Sequence, residues 1–443
     1  MVAELAGKLP ADLNSLTAAQ LEAAWPAWIE RHDKDIRARL EQGDEDTIVN
    51  WMLFGTSFTT KPRAVLGAVE GTAANREVVL QRAIELIGAR LDDLVAALAN
   101  PGTDERRLFA RALLQKKGLT FATAAGRETA RQYLTGAVMR VAQEQEQVDR
   151  ELGATSASDS IAEFVQRSRL FRTRGLSLDT SLVPNYALEQ SLAEMKKRGL
   201  LAAGGVRRVA IVGPGLDFAD KDVGFDFYPQ QTLQPFAILD SLRRLGLAPA
   251  TSAAGGPEIV LLDISPRIVD HVTRARARAA RGTGYTLNLP LTRATPWEAD
   301  IRKYWQSFGS EIGAPAQAAT SPASKAIADQ AELRAVRATP ASVQRLSVVN
   351  LNIVTDRLDG EAFDLVIATN VFVYYDVLEQ ALAMSNVEAM LKPGGYLLAN
   401  VAAPALRSLT IRPVETITTL YARAPDANEN ILDFIVWYKA HAN

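Results

Sequence analysis

The chain has 443 residues, 48% of them hydrophobic and 23% charged, and its net charge at pH 7 is −2. These values are typical of a globular protein with two or three domains, and they exclude a strongly basic chain that attracts nucleic acid or an anionic membrane. There is no cysteine, and the three histidines are far apart in sequence. Disulfides and thiolate chemistry are therefore excluded, and we expect no metal site.

The first 200 or so residues are predicted to be helical. The segment "SLTAAQLEAAWPAWIERHDKDIRARLEQG" has apolar residues at helical spacing, with Ser15 as its candidate N-cap. A second helix, "NREVVLQRAIELIGARLDDLVAALANPG", stops at Asn100-Pro101-Gly102, a typical terminator. We predict a helical accessory domain over residues 1–152 and a helical linker or lid segment over residues 153–200.

No apolar run reaches the roughly 18 residues of a membrane span. The N-terminus has no basic region followed by an apolar one, so it does not read as a signal peptide. We expect a cytoplasmic protein, although an exported protein whose signal has been removed would look the same. The arginine-rich run "RARARAAR", residues 274–281, is interpreted as the solvated face of a helix.

From Val206 onward, short β-rich apolar runs alternate with helices, which predicts an α/β domain over residues 201–443 with a mostly parallel sheet. The last two runs are separated only by "RAPDANEN", too short for a parallel crossover, so they should form an antiparallel hairpin. Residues 292–339 interrupt the alternation and are predicted to be an inserted cap with one or two helices.

Two strand ends carry candidate ligand-binding groups, because ligands of open parallel sheets bind beyond the carboxyl ends of the strands. The turn Gly213-Pro214-Gly215 follows "VRRVAIV" and lets a ligand approach the backbone, although a purely structural turn would use the same residues. Asp263 ends "EIVLLD", where a carboxylate can accept hydrogen bonds from ribose hydroxyls. Asp263 could instead cap the helix that Ser265 and Pro266 begin.

A third strand end carries a family resemblance. The blocks "FDLVIATNVFVYYD" and "LKPGGYLLAN", after the glycine turn and the acid, resemble the Rossmann-like class I S-adenosylmethionine-dependent methyltransferases over roughly residues 201–443. "NVFVYYD" is similar to the protein-glutamate methyltransferase branch. The matching positions are Gly213, Pro214, Gly215, Asp263, Phe363, Asp364, Asn370, Pro393, Gly394 and Gly395.

The resemblance implies S-adenosyl-L-methionine as cofactor and a Rossmann-like sheet that closes with the antiparallel hairpin. The implied cofactor-binding residues are Gly213, Pro214, Gly215, Asp217, Asp263, Ile264, Asn352, Asn370 and Val371. It also implies that Tyr374 and Tyr375 follow strand 4 near the methyl group, where one of them would orient the acceptor or relay a proton.

The chain departs from the family at the first strand. An acid is usual there, at the position of Ile211 or Val212, so Asp217 or Asp220 would supply the carboxylate for the methionine ammonium. The next helix is predicted to start only near Gln231, which leaves "LDFADKDVGFDFYP" as an insertion that folds over the cofactor or lines an acceptor pocket.

Several residues have two open interpretations. Either Asn350 or Asn352 faces the adenine, or both belong to a half-exposed strand with alternating polar residues. Trp297, Tyr304 and Trp305 form either an aromatic wall for the acceptor or a packed helix face.

Three functions are compatible with the sequence. The first is methyl transfer to an unidentified acceptor, a small molecule or a protein, by in-line displacement. The others are a nicotinamide-dependent oxidoreductase and a non-catalytic, methyltransferase-like binding protein. The absence of a basic stripe argues against nucleic acid as a partner, and the sequence does not give the oligomeric state.

Overall fold

The computed structural model describes residues 2–5, 9–64, 73–153, 181–218, 226–249, 256–319, 330–360, 362–404, 406–423 and 430–441. Within these residues the helices are α1 (Ala11–Asn14), α2 (Ala18–Phe54), α3 (Ala73–Ala99), α4 (Glu105–Lys116), α5 (Ala124–Gly153), α6 (Asn185–Lys197), α7 (Gln234–Arg244), α8 (Pro266–Ala280), α9 (Ala299–Ser307), α10 (Pro340–Val343) and α11 (Val377–Met390).

The described strands form two sheets. They are β1 (Arg208–Val212), β2 (Glu258–Asp263), β3 (Tyr285–Thr292), β4 (Gly313–Ala316), β5 (Ala331–Ala338), β6 (Leu346–Asn350), β7 (Phe363–Ala368), β8 (Leu391–Ala399), β9 (Arg412–Ala422) and β10 (Ile431–Lys439). The main sheet has the order β6-β2-β1-β7-β8-β10-β9. Its first five strands are parallel, and β10 is antiparallel to both neighbours. The predicted α/β fold class, with its closing hairpin and helical N-terminal part, is confirmed.

The main sheet is covered on both faces, as continuous apolar strands require. Along β1, Val209 and Ile211 pack into a core shared with α6, α7 and α8. Ala210 and Val212 point to the opposite core, which α2 and α11 cover. The strand is therefore buried on both sides, and only its ends are available for chemistry.

The long helix α2 belongs to two cores. Its Trp28, Ile36 and Leu40 pack in the sheet core, whereas residues such as Ile48 and Trp51 pack with α3, α4 and α5 in a third core. The helix begins after Thr17 rather than at Ser15, so the N-cap prediction was wrong. Thr17 accepts from the backbone of Gln20, and the Gln20 side chain accepts from the backbone of Thr17, which forms a capping box.

The predicted cap over residues 292–339 contains strands as well as a helix. The run "YTLNLPL" forms β3, which pairs with β5 in a separate antiparallel sheet of order β3-β5-β4 rather than in the main sheet. Helix α9 lies in this insertion, and residues 320–329 are outside the described part. The predicted domain boundaries stay predictions.

Candidate functional site

Three parallel strand ends meet at one edge of the main sheet. Val212 of β1 is level with Leu262 of β2, and Ile211 is level with Ile367 of β7. Gly213, Asp263 and Thr369, at the carboxyl ends of these three strands, therefore lie at the same edge. The ligand-binding roles of the residues at these strand ends stay predictions.

The glycine turn has a backbone that other residues rarely adopt. Gly213 and Gly215 have φ angles of +63° and +72°, in the left-handed region that favours glycine. A Cβ atom at Gly213 would lie 2.7 Å from Cγ2 of Val371, the residue two positions beyond Thr369. Pro214 between the glycines is buried, and Gly213 is half-buried. The turn is thus packed closely against Val371, and a side chain at position 213 would overlap it.

We expect Gly213→Ala to lower the free energy of unfolding more than Gly360→Ala does. Gly360 has a similar φ of +69° with no atom within 4 Å of its Cβ position, so it reports the backbone strain alone, about 1 to 2 kcal/mol. The overlap with Val371 should add about 1 to 3 kcal/mol. Urea unfolding of both variants measures the difference, and adding Val371→Ala should remove the second part. If Gly213→Ala and Gly360→Ala lowered the free energy of unfolding equally, the close approach of Gly213 to Val371 would be contradicted.

Asp263 is a buried carboxylate with one oxygen unpaired. The residue is 3% exposed, and its Oδ1 accepts a hydrogen bond of 2.7 Å from the backbone N–H of Ser265. Its Oδ2 is buried without a partner among the described residues. Burial raises the pKa of Asp263 to about 7. Both interpretations of Asp263 therefore have a geometric basis, because one oxygen holds the turn into α8 and the other is left for a donor.

The tip of the third strand is held by a pair of amides. Asn370 is the one non-glycine residue with positive φ, 58°, in the described part of the chain. Its backbone N–H donates to Asn400 Oδ1 at 2.8 Å, and Asn400 Nδ2 donates to Asn370 Oδ1 at 2.6 Å. Asn370 is exposed and Val371 half-buried, so this side of the site is open.

Asp217 lies beneath the turn rather than at its surface. It is 4% exposed, and its Oδ2 accepts from Tyr228 Oη at 2.7 Å and from Gln231 Nε2 at 2.9 Å. Its backbone N–H donates to the carbonyl of Gln231 at 2.8 Å. Asp217 thus joins the start of the insertion to the residues that follow it. Asp220 lies outside the described residues. The assignment of Asp217 to the methionine ammonium stays a prediction.

Two buried charged groups tie the insertion to the helical part. The guanidinium of Arg106 in α4 donates to the carbonyls of Asp217, Phe218 and Tyr228. In the opposite direction, the carboxylate of Asp226 accepts from Trp51 Nε1 at 2.5 Å and from groups of Thr56 and Ser57 after α2. We call the contacts of Arg106 and Asp226 the clamp. Through it, the helical part determines where both ends of the insertion lie.

Helix α2 crosses the ends of β2 and β6. Arg37 donates to the carbonyl of Ile264 at 3.2 Å and to Asn350 Oδ1 at 3.0 Å. Asn352, 1% exposed, donates to Asp33 Oδ1 at 2.8 Å and accepts from the backbone of Val354. The residues predicted to face the adenine therefore lie under α2, and a ligand there would be enclosed between helix and sheet.

Helix α2 is also anchored to α11 through Glu379. This carboxylate is 3% exposed and accepts from Arg39 Nη2 at 2.5 Å, and His32 Nε2 lies 3.0 Å away. Burial acts to raise the pKa of Glu379, but the contact with His32 and the charge of Arg39 outweigh it and lower the pKa below its ordinary value of 4.5.

We expect Glu379→Gln to lower the free energy of unfolding by about 2 to 4 kcal/mol at pH 7, because the variant leaves Arg39 without its charge partner. Because the pKa of Glu379 is lowered in the folded protein, its contribution is present above pH 4.5 and is lost as the pH falls through the lower folded value. Urea unfolding of both proteins from pH 7 to pH 3.5 should show the two curves converging in acid. Glu22→Gln, an exposed site on α2, should leave the stability unchanged. A constant gap between the curves would contradict the charge-pair account.

The two tyrosines after β7 are both buried. Tyr374 is 8% exposed and Tyr375 4% exposed, and the carbonyl of Tyr374 accepts from Arg39 at 3.2 Å. Burial and the charge of Glu379 raise the pKa of Tyr375 well above its ordinary value. Tyr375 is therefore a neutral phenol near pH 7, able to donate a hydrogen bond but not to act as a base.

The aromatic residues of the predicted cap, residues 292–339, are packed in the core. Tyr304 and Trp305 are 3% and 7% exposed, within the same core as β1. Trp305 Nε1 donates to the carbonyl of Leu289, and Trp297 Nε1 donates to that of Thr292. Tyr304 and Trp305 thus form a packed helix face rather than an aromatic wall, whereas Trp297 lies before α9 and pairs through its backbone with Ala422.

Sequence reasoning missed the groups that α2 and α4 contribute. Arg106 lies in "ERRLFARALLQKK" and Arg37 in "DKDIRARLEQ", where charged residues read as solvated helix faces. The buried acid Asp226, by contrast, lies in the aromatic insertion that the sequence did single out. A cluster of metal-ligating side chains is not found in the described residues, nor is any helix there long and apolar enough to cross a membrane.

No protein-family model matches the chain, and no curated protein sequence matches it. Among solved structures it is similar to N-methyltransferase NodS from Bradyrhizobium japonicum WM9, with 14% identity and a TM-score of 0.27 over 57% of this chain and 97% of that one. It is also similar to magnesium protoporphyrin IX methyltransferase from Synechocystis PCC 6803, with 10% identity and a TM-score of 0.27 over 67% and 91%. The glycopeptide N-methyltransferase MtfA matches at 15% identity and a TM-score of 0.21 over 58% and 75%.

These likenesses are too weak to bear on activity. The fold assignment rests on the chain's own strand order, five parallel strands followed by an antiparallel pair in the order β6-β2-β1-β7-β8-β10-β9. This is the sheet that the resemblance to the Rossmann-like class I methyltransferases predicted.

Proposed function

We propose that the chain binds S-adenosyl-L-methionine at this edge of the sheet and transfers its methyl group to an acceptor. The observation that carries the proposal is the buried, unpaired Oδ2 of Asp263 next to a left-handed glycine turn. A buried acceptor without a donor costs free energy. A ribose hydroxyl would supply the missing hydrogen, and the glycine turn next to Asp263 offers backbone groups rather than side chains.

The roles of the chain's residues follow from their positions. Asp263 would bind the ribose, the backbone of residues 213–215 would border the amino-acid part of the cofactor, and Ile264, Asn352 and α2 would enclose the adenine. The bound cofactor supplies an already activated methyl group, so that positioning provides much of the catalysis. Asn370 and Val371 border the open side, where an acceptor would enter.

Tyr374 and Tyr375 are the proposed orienting residues. Because the raised pKa of Tyr375 keeps its phenol protonated, this residue would donate a hydrogen bond to the acceptor rather than remove a proton from it. A base is needed only if the acceptor must lose a proton during transfer.

The alternative is a non-catalytic protein with the same fold. The paired carboxylate of Asp217 and the cover formed by α2 favour it, because both reduce the room for the methionine and adenine ends. Titration of the full chain with S-adenosylhomocysteine and, separately, with NADH distinguishes the functions. Binding of S-adenosylhomocysteine that Asp263→Ala strongly weakens supports the enzyme. Binding of NADH alone indicates an oxidoreductase, and binding of neither leaves the non-catalytic scaffold.

A further inference from the structure

A cavity lies at the opposite edge of the main sheet from the candidate site. It has a volume of about 380 Å³ and is bordered by residues at the amino ends of β1, β2 and β6, together with Arg276 of α8. Because these strands are parallel, their amino ends are a strand length away from Gly213 and Asp263. The cavity is therefore separate from the candidate cofactor site.

The lining of this cavity is strongly basic. Among the described residues it contains Arg207, Arg208, Arg276 and Arg345 but only one acidic residue, Glu258. Glu258 is already paired with Arg208 at 2.9 Å. In the described part of the chain, no carboxylate pairs with the other three arginines, and Nε of Arg276 is buried without an acceptor.

A fifth guanidinium increases the positive charge. Nη2 of Arg243 and Nε of Arg345 lie 3.4 Å and 3.6 Å from the position that a Cβ at Gly256 would take. Burial and the charge of Arg345 lower the pKa of Arg243, which reflects the repulsion between the two groups. Such a cluster is unfavourable until an anion lies among the guanidinium groups.

The cavity also indicates which kind of anion would fit. Arginine binds phosphate oxygens in pairs through its planar fork, and Gln344 and Ser347 add neutral donors at the rim. The described residues of the lining include no aromatic side chain on which a base could stack. The volume is in the range of a small-molecule pocket rather than of a groove for a duplex.

We propose that this cavity binds a small ligand through a diphosphate group. The site also accounts for part of the arginine-rich run on α8. Arg274 of this run is 61% exposed and pairs with Asp270, as a solvated face predicts, whereas Arg276, two residues on, faces the cavity.

Isothermal titration of the full chain with inorganic pyrophosphate and with inorganic phosphate tests the proposal. We expect pyrophosphate to bind more tightly than phosphate, and Arg345→Gln to weaken its binding by about tenfold or more. Arg345 has no described side-chain partner to lose, so this variant should fold normally, and its melting temperature verifies that. Arg276→Gln should weaken binding similarly, and Arg274→Gln, on the same helix, should not.

The proposal is overturned if pyrophosphate does not bind, if it binds no more tightly than phosphate, or if Arg345→Gln and Arg276→Gln bind it as tightly as Arg274→Gln. Titration of Arg345→Gln with S-adenosylhomocysteine separates the two sites. Unchanged affinity for that ligand, with weakened pyrophosphate binding, is the result expected of two distinct sites.

Discussion

Replacing Arg106 with methionine is expected to lower the free energy of unfolding by about 3 kcal/mol or more. The guanidinium is 1% exposed and donates to three backbone carbonyls of the insertion. Methionine keeps most of the apolar stem but leaves these buried acceptors unpaired, at about 1 to 3 kcal/mol each. Urea unfolding measures the loss.

The same variant should weaken binding of S-adenosylhomocysteine, because Arg106 holds the carbonyls of Asp217 and Phe218 directly after the glycine turn. Arg111→Met is the matched control. It removes a half-buried arginine from the same helix, with one long bond of 3.4 Å to Ala99, and should change the stability by less than about 1 kcal/mol. If the two variants were equally stable, the clamp would not hold the insertion.

Replacing Asp263 with alanine is expected to weaken binding of S-adenosylhomocysteine by about a hundredfold, since hydrogen bonds to a charged acceptor contribute about 1.5 to 3 kcal/mol each. The pH dependence is the more specific readout. In the free protein the pKa of Asp263 is about 7, and a ribose that donates to the carboxylate favours its ionised form. The dissociation constant should therefore fall as the pH rises from 6 to 8, by about tenfold.

The affinity for S-adenosylhomocysteine should thus increase with pH, whereas the stability of the free protein should decrease. A carboxyl whose folded pKa is raised binds its proton more tightly in the folded state, so the free energy of unfolding decreases as the pH rises from about 4 to 7. Asp263→Asn carries no charge, and at pH 8 it should be more stable than the original chain by about 2 to 4 kcal/mol. A variant with unchanged stability at pH 8 would indicate that Oδ2 is solvated or paired. This measurement is independent of any ligand.

The parts of the fold that local patterns encode were predictable from the sequence. Apolar runs gave β1, β2 and β7, and the short connection between the last two runs gave the hairpin of β9 and β10. The delayed helix after the glycine turn was also foreseen, since α7 begins at Gln234 with Pro235 in its first turn.

The features of the fold that depend on long-range contacts were not predictable from the sequence. Nothing in "YTLNLPL" distinguishes a strand of the main sheet from β3, because its partner β5 lies at the far end of residues 292–339. Arg90 and Arg106 are 0% and 1% exposed, yet their charges place them on the surface in any periodicity argument. Each is stabilised by carbonyls distant in sequence, including those of Gly55 and Tyr228 respectively.

The site was predictable only as a set of strand ends. The sequence located Gly213, Asp263 and Asn370 at one edge, but it gave no sign that α2 would lie across that edge. Contacts such as Arg37 with Asn350 join residues more than 300 positions apart, and no local pattern encodes them.

Helix α2 has a consequence for how the chain melts. Its 37 residues extend over about 55 Å, and its two halves pack in different cores. One core could unfold without the other only if α2 were broken between them. We therefore expect both cores to unfold together on heating, in one calorimetric peak. The enthalpy calculated from the sharpness of that peak should then equal the heat absorbed.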